Sequence, residues 1–132
     1  MERLQAIVSL RAAGYNQAVL DTWFQEPAGW LENRIREHEA IRDDLLEIFD
    51  DGNLHTPCPQ AGSYLFPQLP PLGVDLHTFV HLLRHQANVV VTPGTEFDPD
   101  CTDSIRLNFS QDHTAAMAAA KRIVRMTEIY RI

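Results

Sequence analysis

The sequence predicts an α+β fold: a small sheet of short strands with helices packed on one face, preceded by a long helix. Three observations predict it. Four segments carry helical periodicity, the strand-like runs between them are short, and the order is helix, helix, strand, helix, strand, strand, helix. The chain has 132 residues, of which 45% are hydrophobic and 22% charged, enough to bury a core without disulfides or metal.

The first segment, Glu2 to about Gln25, places apolar residues at Leu4, Val8, Tyr15, Val19 and Phe24 and reads as a helix with a weak point at Gly14. "QEPAG" breaks it, because Pro27 removes a backbone donor and pushes its predecessor out of helical geometry. The long second helix, "WLENRIREHEAIRDDLLEIFDDG", gathers Leu31, Ile35, Ile41, Leu45, Ile48 and Phe49 near one face and stops at Gly52. "LHTPCPQAGSYLFPQLPPLG" holds five of the eight prolines and reads as extended, with a strand at Ser63 to Phe66.

"VDLHTFVHLLRHQ" reads as a helix capped by Asp75, with Leu76, Phe79, Val80 and Leu83 at core-face spacing. The three valines within Asn88 to Thr92 predict a strand buried on both sides. "PGTEFDPDCTD" is a loop and Ser104 to Phe109 a further strand. Thr114 to Tyr130 is an alanine-rich helix capped by Ser110 or Asp112 and buried through Ala116, Ala120, Ile123 and Tyr130.

Charge and cysteine content exclude several classes. A net charge of -7, with arginines scattered along the chain, repels a phosphate backbone, so no nucleic-acid partner is expected. Cys58 and Cys101 are far apart and in no zinc or redox spacing, which predicts free thiols in a reducing compartment. The apolar run Ala6 to Leu10 is too short for a secretory signal or a bilayer span, so no membrane partner is expected and the chain reads as cytoplasmic.

One charge stands inside a strand. In "SIRLNF" the period of two sends Ile105, Leu107 and Phe109 to one face and Arg106, Asn108 and Ser110 to the other. By itself that spacing also fits an arginine on a wet face.

"PCPQAGSYLFP", "VVVTPGTEF" and "SIRLNFS" followed by an alanine-rich helix together resemble the C-terminal small domain of the class I/II, fold-type I aminotransferases, which depend on pyridoxal phosphate. The run "REHEAIRDDLLEIF" resembles the helix that leads into that domain, and the likeness covers the chain from about Trp23 onward. The resemblance implies that Arg106 grips the α-carboxylate of an amino or keto acid, with Gly62 and Tyr64 beside the substrate. A guanidinium suits that task, being permanently charged and able to meet both carboxylate oxygens at once. Pro93 and Gly94 would form the tight turn that brings the next loop to the site. The family usually has glycine after the phenylalanine of that loop, whereas Phe97 is followed by Asp98 and Pro99.

The resemblance also implies what lies elsewhere. Pyridoxal phosphate enzymes hold the cofactor on a lysine and pair its ring nitrogen with an acid, both in the large domain of this family. The single lysine here, Lys121, reads as a solvated residue of the last helix, so no cofactor is expected on this chain alone. The expectation is residues 1–27 as a helical remnant of, or link to, a large domain, and residues 28–132 as an aminotransferase-like small domain. Such a stand-alone domain, a fragment or the product of a truncated or split gene, would contribute carboxylate recognition to amino-group transfer and be inactive by itself. Its expected partners are a separately expressed large domain or a second copy covering Val8, Leu10, Leu20, Trp23 and Phe24.

Three rivals are weighed. A non-catalytic interaction or regulatory module derived from such a domain is the alternative, since fold descent does not fix function. His77, His81 and His85 recur every four residues, so the outer pair is separated by about 12 Å along a helix and cannot share one ion; no metal is expected. Cys58, between Pro57 and Pro59, has no sequence cue for an activating environment as a nucleophile, and Cys101 has none either.

Overall fold

The computed structural model describes residues 14–23 and 25–132. The chain divides into two compact units, Met1–Arg34 and Ile35–Ile132. In the first, α1 spans Gly14–Trp23, and helix α2, Trp30–Asp51, begins there and continues into the second. Val8, Leu10, Phe24 and the Trp23 side chain lie outside the described residues, while Leu20 is exposed.

The second unit has the predicted α+β architecture. Its strands are β1 (Tyr64–Leu65), β2 (Thr92–Pro93) and β3 (Ile105–Asn108), antiparallel in the order β1-β3-β2. Helices α3 (Leu76–Gln86) and α4 (His113–Tyr130) complete it, with a 3-10 turn at Gly94–Glu96. Alternation along β3 buries Ile105 and Leu107, and Phe109 beyond it, among Leu45 and Phe49 of α2, Phe79 and Leu83 of α3, and Ala120 and Ile123 of α4. The helices therefore share one face of the sheet, and the opposite face carries Arg106 and Asn108.

Caps and cross-links fix the helices. Asp75 accepts the Thr78 amide at 3.0 Å and Asp112 that of Ala115 at 2.9 Å, each satisfying a donor that the first turn leaves unpaired. Of the two caps considered for α4, Asp112 serves, and Ser110 instead meets His38 at 2.9 Å. His113 joins Asp44 at 2.7 Å, tying the start of α4 to α2.

Four expectations need correction. Leu31 and Ile35 are exposed, because the core begins at Ile41 and meets only the later turns of α2. The valine run is not buried on both sides: Val89 and Val91 point inward and Val90 is 77% exposed. The paired segment there is Thr92–Pro93, since β2 is an edge strand whose ladder is limited to Ile105 and Arg106. Tyr130 is half-buried, its ring edge-on to Phe79 and its hydroxyl donating to Gln86 at 3.2 Å.

Candidate functional site

Sheet register assembles the site. Tyr64 stands opposite Asn108 and Leu65 opposite Leu107, so Tyr64 lies diagonal to Arg106 on the face away from the core, and Thr92 stands directly across from it. The Arg106 guanidinium carbon lies 4.4 Å from the centroid of the Tyr64 ring and 4.3 Å from that of Phe97. Both are cation–π distances, each contact contributing about 0.5–1 kcal/mol at an exposed site. Phe66 meets Phe97 edge to face at 5.6 Å.

The arginine is half-buried, and among the described residues its guanidinium has no hydrogen bond or ion pair. A cation ordered by two rings yet left without an acid keeps its N–H donors free for an anion.

Phe97 reaches this position through its loop. The Gly94 amide donates to the Ser104 carbonyl at 2.8 Å, and the Gly94 carbonyl accepts from Phe97 at 2.9 Å and Asp98 at 3.2 Å. A Cβ on Gly94 would come within 2.6 Å of the Cys101 Sγ and 2.7 Å of the Cys101 carbonyl oxygen, so only glycine allows this approach. Where the family usually has glycine, the Asp98 carboxylate accepts the Asp100 amide at 3.0 Å and closes a side-chain turn. The departure from glycine at Asp98 thus adds a bond that holds the loop.

Of the sequence-predicted site residues, Arg106 and Tyr64 come together. Gly62 sits in the turn before β1 at φ +90°, with open space where a side chain would be. Phe97 was not predicted as a site residue; its signal was the final position of "VVVTPGTEF", but only the fold shows that its ring covers the arginine. A separate cleft of about 530 Å³ is lined by Leu69, Pro71, Leu72, Val74, His77 and Asp103 among others, and Arg106 is not part of it. Beside it the Gln68 amide donates to Asp103 at 2.6 Å, which holds that carboxyl below the usual range, with the Ser104 hydroxyl assisting.

The other candidates separate. His77 meets Thr95 at 3.2 Å, while His81 and His85 stack nearly parallel with centroids 6.3 Å apart. Among the described residues no group of three or more His, Cys, Asp or Glu could hold a metal ion. Cys58 is exposed and Cys101 half-buried, both free thiols. No described helix is long and apolar enough to cross a membrane.

Comparison with known proteins bears on the family and the fold. Residues 3–123 match the family described as aminotransferase class I and II. The chain belongs to that family. The crystal structure of an aspartate aminotransferase from Rhodobacter sphaeroides 2.4.1 superimposes with a TM-score of 0.94 at 62% identity, covering 99% of this chain and 33% of that one. An aspartate aminotransferase from Musicola paradisiaca is 28% identical over 102 residues, 76% of this chain and 26% of its own length. An aromatic aminotransferase from Pyrococcus horikoshii OT3, at 19% identity, shares the fold with a TM-score of 0.82 over 96% of this chain and 35% of its own. The chain spans about a quarter of the length of the curated relatives it matches.

Aminotransferases of this family depend on pyridoxal phosphate. The described residues do not fit that group. A lysine serving it needs desolvation or a neighbouring cation to free its amine near neutral pH, and Lys121 stands exposed on α4.

Proposed function

We propose that this chain is the part of an aminotransferase that recognises the substrate α-carboxylate, and that Arg106 binds it. The observation that carries the reading is the guanidinium held between Tyr64 and Phe97 with no acid to neutralise it. Two parallel N–H···O contacts from the planar fork would fix which way an amino or keto acid faces. The reaction served is amino-group transfer between such acids, and the 62% identity to an aspartate aminotransferase supports aspartate as the amino acid.

Bound pyridoxal phosphate supplies the electron sink for that chemistry. This chain's part is to bind and orient the carboxylate. Tyr64 is assigned to the substrate side of the site together with Arg106, and Gly62 shapes the turn that leads into β1. With Lys121 exposed, the chain by itself transfers no amino group. Exposed Val19, Leu20, Trp30 and Leu31 support association, with a copy of the chain or a large domain as the cover.

Titration with aspartate, followed on backbone amides by NMR, tests the assignment. Shifts centred on β3 and Phe97 are expected, with affinity falling about 10- to 150-fold in Arg106→Gln, the range of a charge-assisted hydrogen bond. Equal affinity in wild type and Arg106→Gln would overturn it.

A further inference from the structure

We infer that Tyr64 and Phe97 are positioning residues that hold Arg106 in a slot between two ring faces, so that it takes a planar carboxylate in preference to a tetrahedral oxyanion. The inference rests on Arg106 as the carboxylate site and adds how that site selects its anion.

The distances set the argument. With ring centroids 4.3 and 4.4 Å from the guanidinium carbon, no oxyanion fits between the cation and either ring. An anion reaches the N–H donors only from the directions the rings leave open. A carboxylate is one planar group thick and can enter with both oxygens in the slot. A sulfonate or phosphate carries oxygens out of any plane it presents, and those oxygens meet the rings.

Rigidity makes the slot selective. An arginine side chain has many rotamers, and ordering one at the moment of binding costs affinity. Here the cost is met in advance. Phe66 buttresses Phe97 edge-on at 5.6 Å, the Phe97 amide is tied to the Gly94 carbonyl, and Tyr64 is fixed by its register with Asn108. Both clamping rings remain accessible, Phe97 at 51% and Tyr64 at 43% exposure, so neither is a core residue whose loss would unfold the domain.

The test uses the full chain labelled with ¹⁵N-arginine, reading the Arg106 Nε–Hε signal during titration with acetate and with methanesulfonate, a planar and a tetrahedral monoanion of equal charge. Wild type is expected to bind acetate at least about three-fold more tightly than methanesulfonate. Phe97→Leu and Tyr64→Leu should each weaken acetate about two- to five-fold, the loss of one exposed cation–π contact, and bring the ratio toward one. Phe97→Tyr and Tyr64→Phe, which keep the ring, should retain the wild-type ratio, an outcome a merely structural role would not produce. Amide spectra check that each variant is folded, and if one leucine variant fails, the other carries the test. Leucine variants that keep both affinity and ratio, or a wild type that does not discriminate, overturn the slot while leaving Arg106 as an anion site. An Arg106 signal indifferent to acetate overturns the functional reading and the slot with it.

Discussion

Gly94→Ala is expected to destabilise the domain and displace the site together. The added Cβ would lie 2.6 Å from the Cys101 Sγ, 2.7 Å from the Cys101 carbonyl oxygen and 2.9 Å from the Ser104 carbonyl oxygen. Two of these three neighbours are backbone atoms, so a side-chain rotation relieves only the first. The chain must instead separate Gly94 from residues 101–104, stretching the 2.8 Å bond from the Gly94 amide to the Ser104 carbonyl. Overpacking of this kind costs about 1–3 kcal/mol. Urea unfolding should show a lower midpoint with an unchanged slope, and thermal unfolding a fall of several degrees. Adding Cys101→Ala should restore only part of the loss, since the carbonyl contacts persist. Because Gly94 also anchors Phe97, the Arg106 Nε–Hε signal should shift even in the folded variant. An unchanged midpoint, or full rescue by Cys101→Ala, would refute the reasoning.

Further outcomes follow from the same structure. Phe49→Ala, which empties a fully buried site between α2 and the sheet, should cost about 3–5 kcal/mol by chemical denaturation. Asp112→Ala removes the α4 cap and should cost about 1 kcal/mol, seen as a lower Tm, whereas Asp112→Asn should keep most of the stability. Asp75, bonded to Thr78, and Asp103, bonded to Gln68, both titrate below the ordinary carboxylate range. Their folded values are depressed, so their contribution is present above about pH 4 and is lost as pH falls through the folded values. Asp103→Asn should therefore lower stability at neutral pH, converge with wild type in acid, and so flatten the acid limb of stability against pH.

How much was legible depended on how local each feature is. Helix α3 could be read in full, because Asp75 and the spacing of Leu76, Phe79 and Leu83 lie within one segment. β2 could not, because an edge strand is defined by its partner, and only Ile105 and Arg106 decide that Thr92 and Pro93 pair. The burial of Val89 and Val91 with Val90 outside is invisible in a run of identical residues, where periodicity has no contrast. Leu31 and Ile35 keep the helical spacing of the buried α2 positions and are nonetheless exposed. Arg106 could be singled out as a charge in an apolar strand, and the family resemblance supplied its role. Its clamp unites residues 64, 97 and 106 through register and a loop turn, which no linear motif encodes.

The most direct test of Arg106 as the carboxylate site is a crystal structure of this chain grown with aspartate. The account predicts the α-carboxylate within hydrogen-bond distance of the Arg106 guanidinium, both oxygens engaged, between the Tyr64 and Phe97 rings. Aspartate bound elsewhere, for instance in the cleft beside His77 and Asp103, with Arg106 turned to a protein carboxylate, would contradict it.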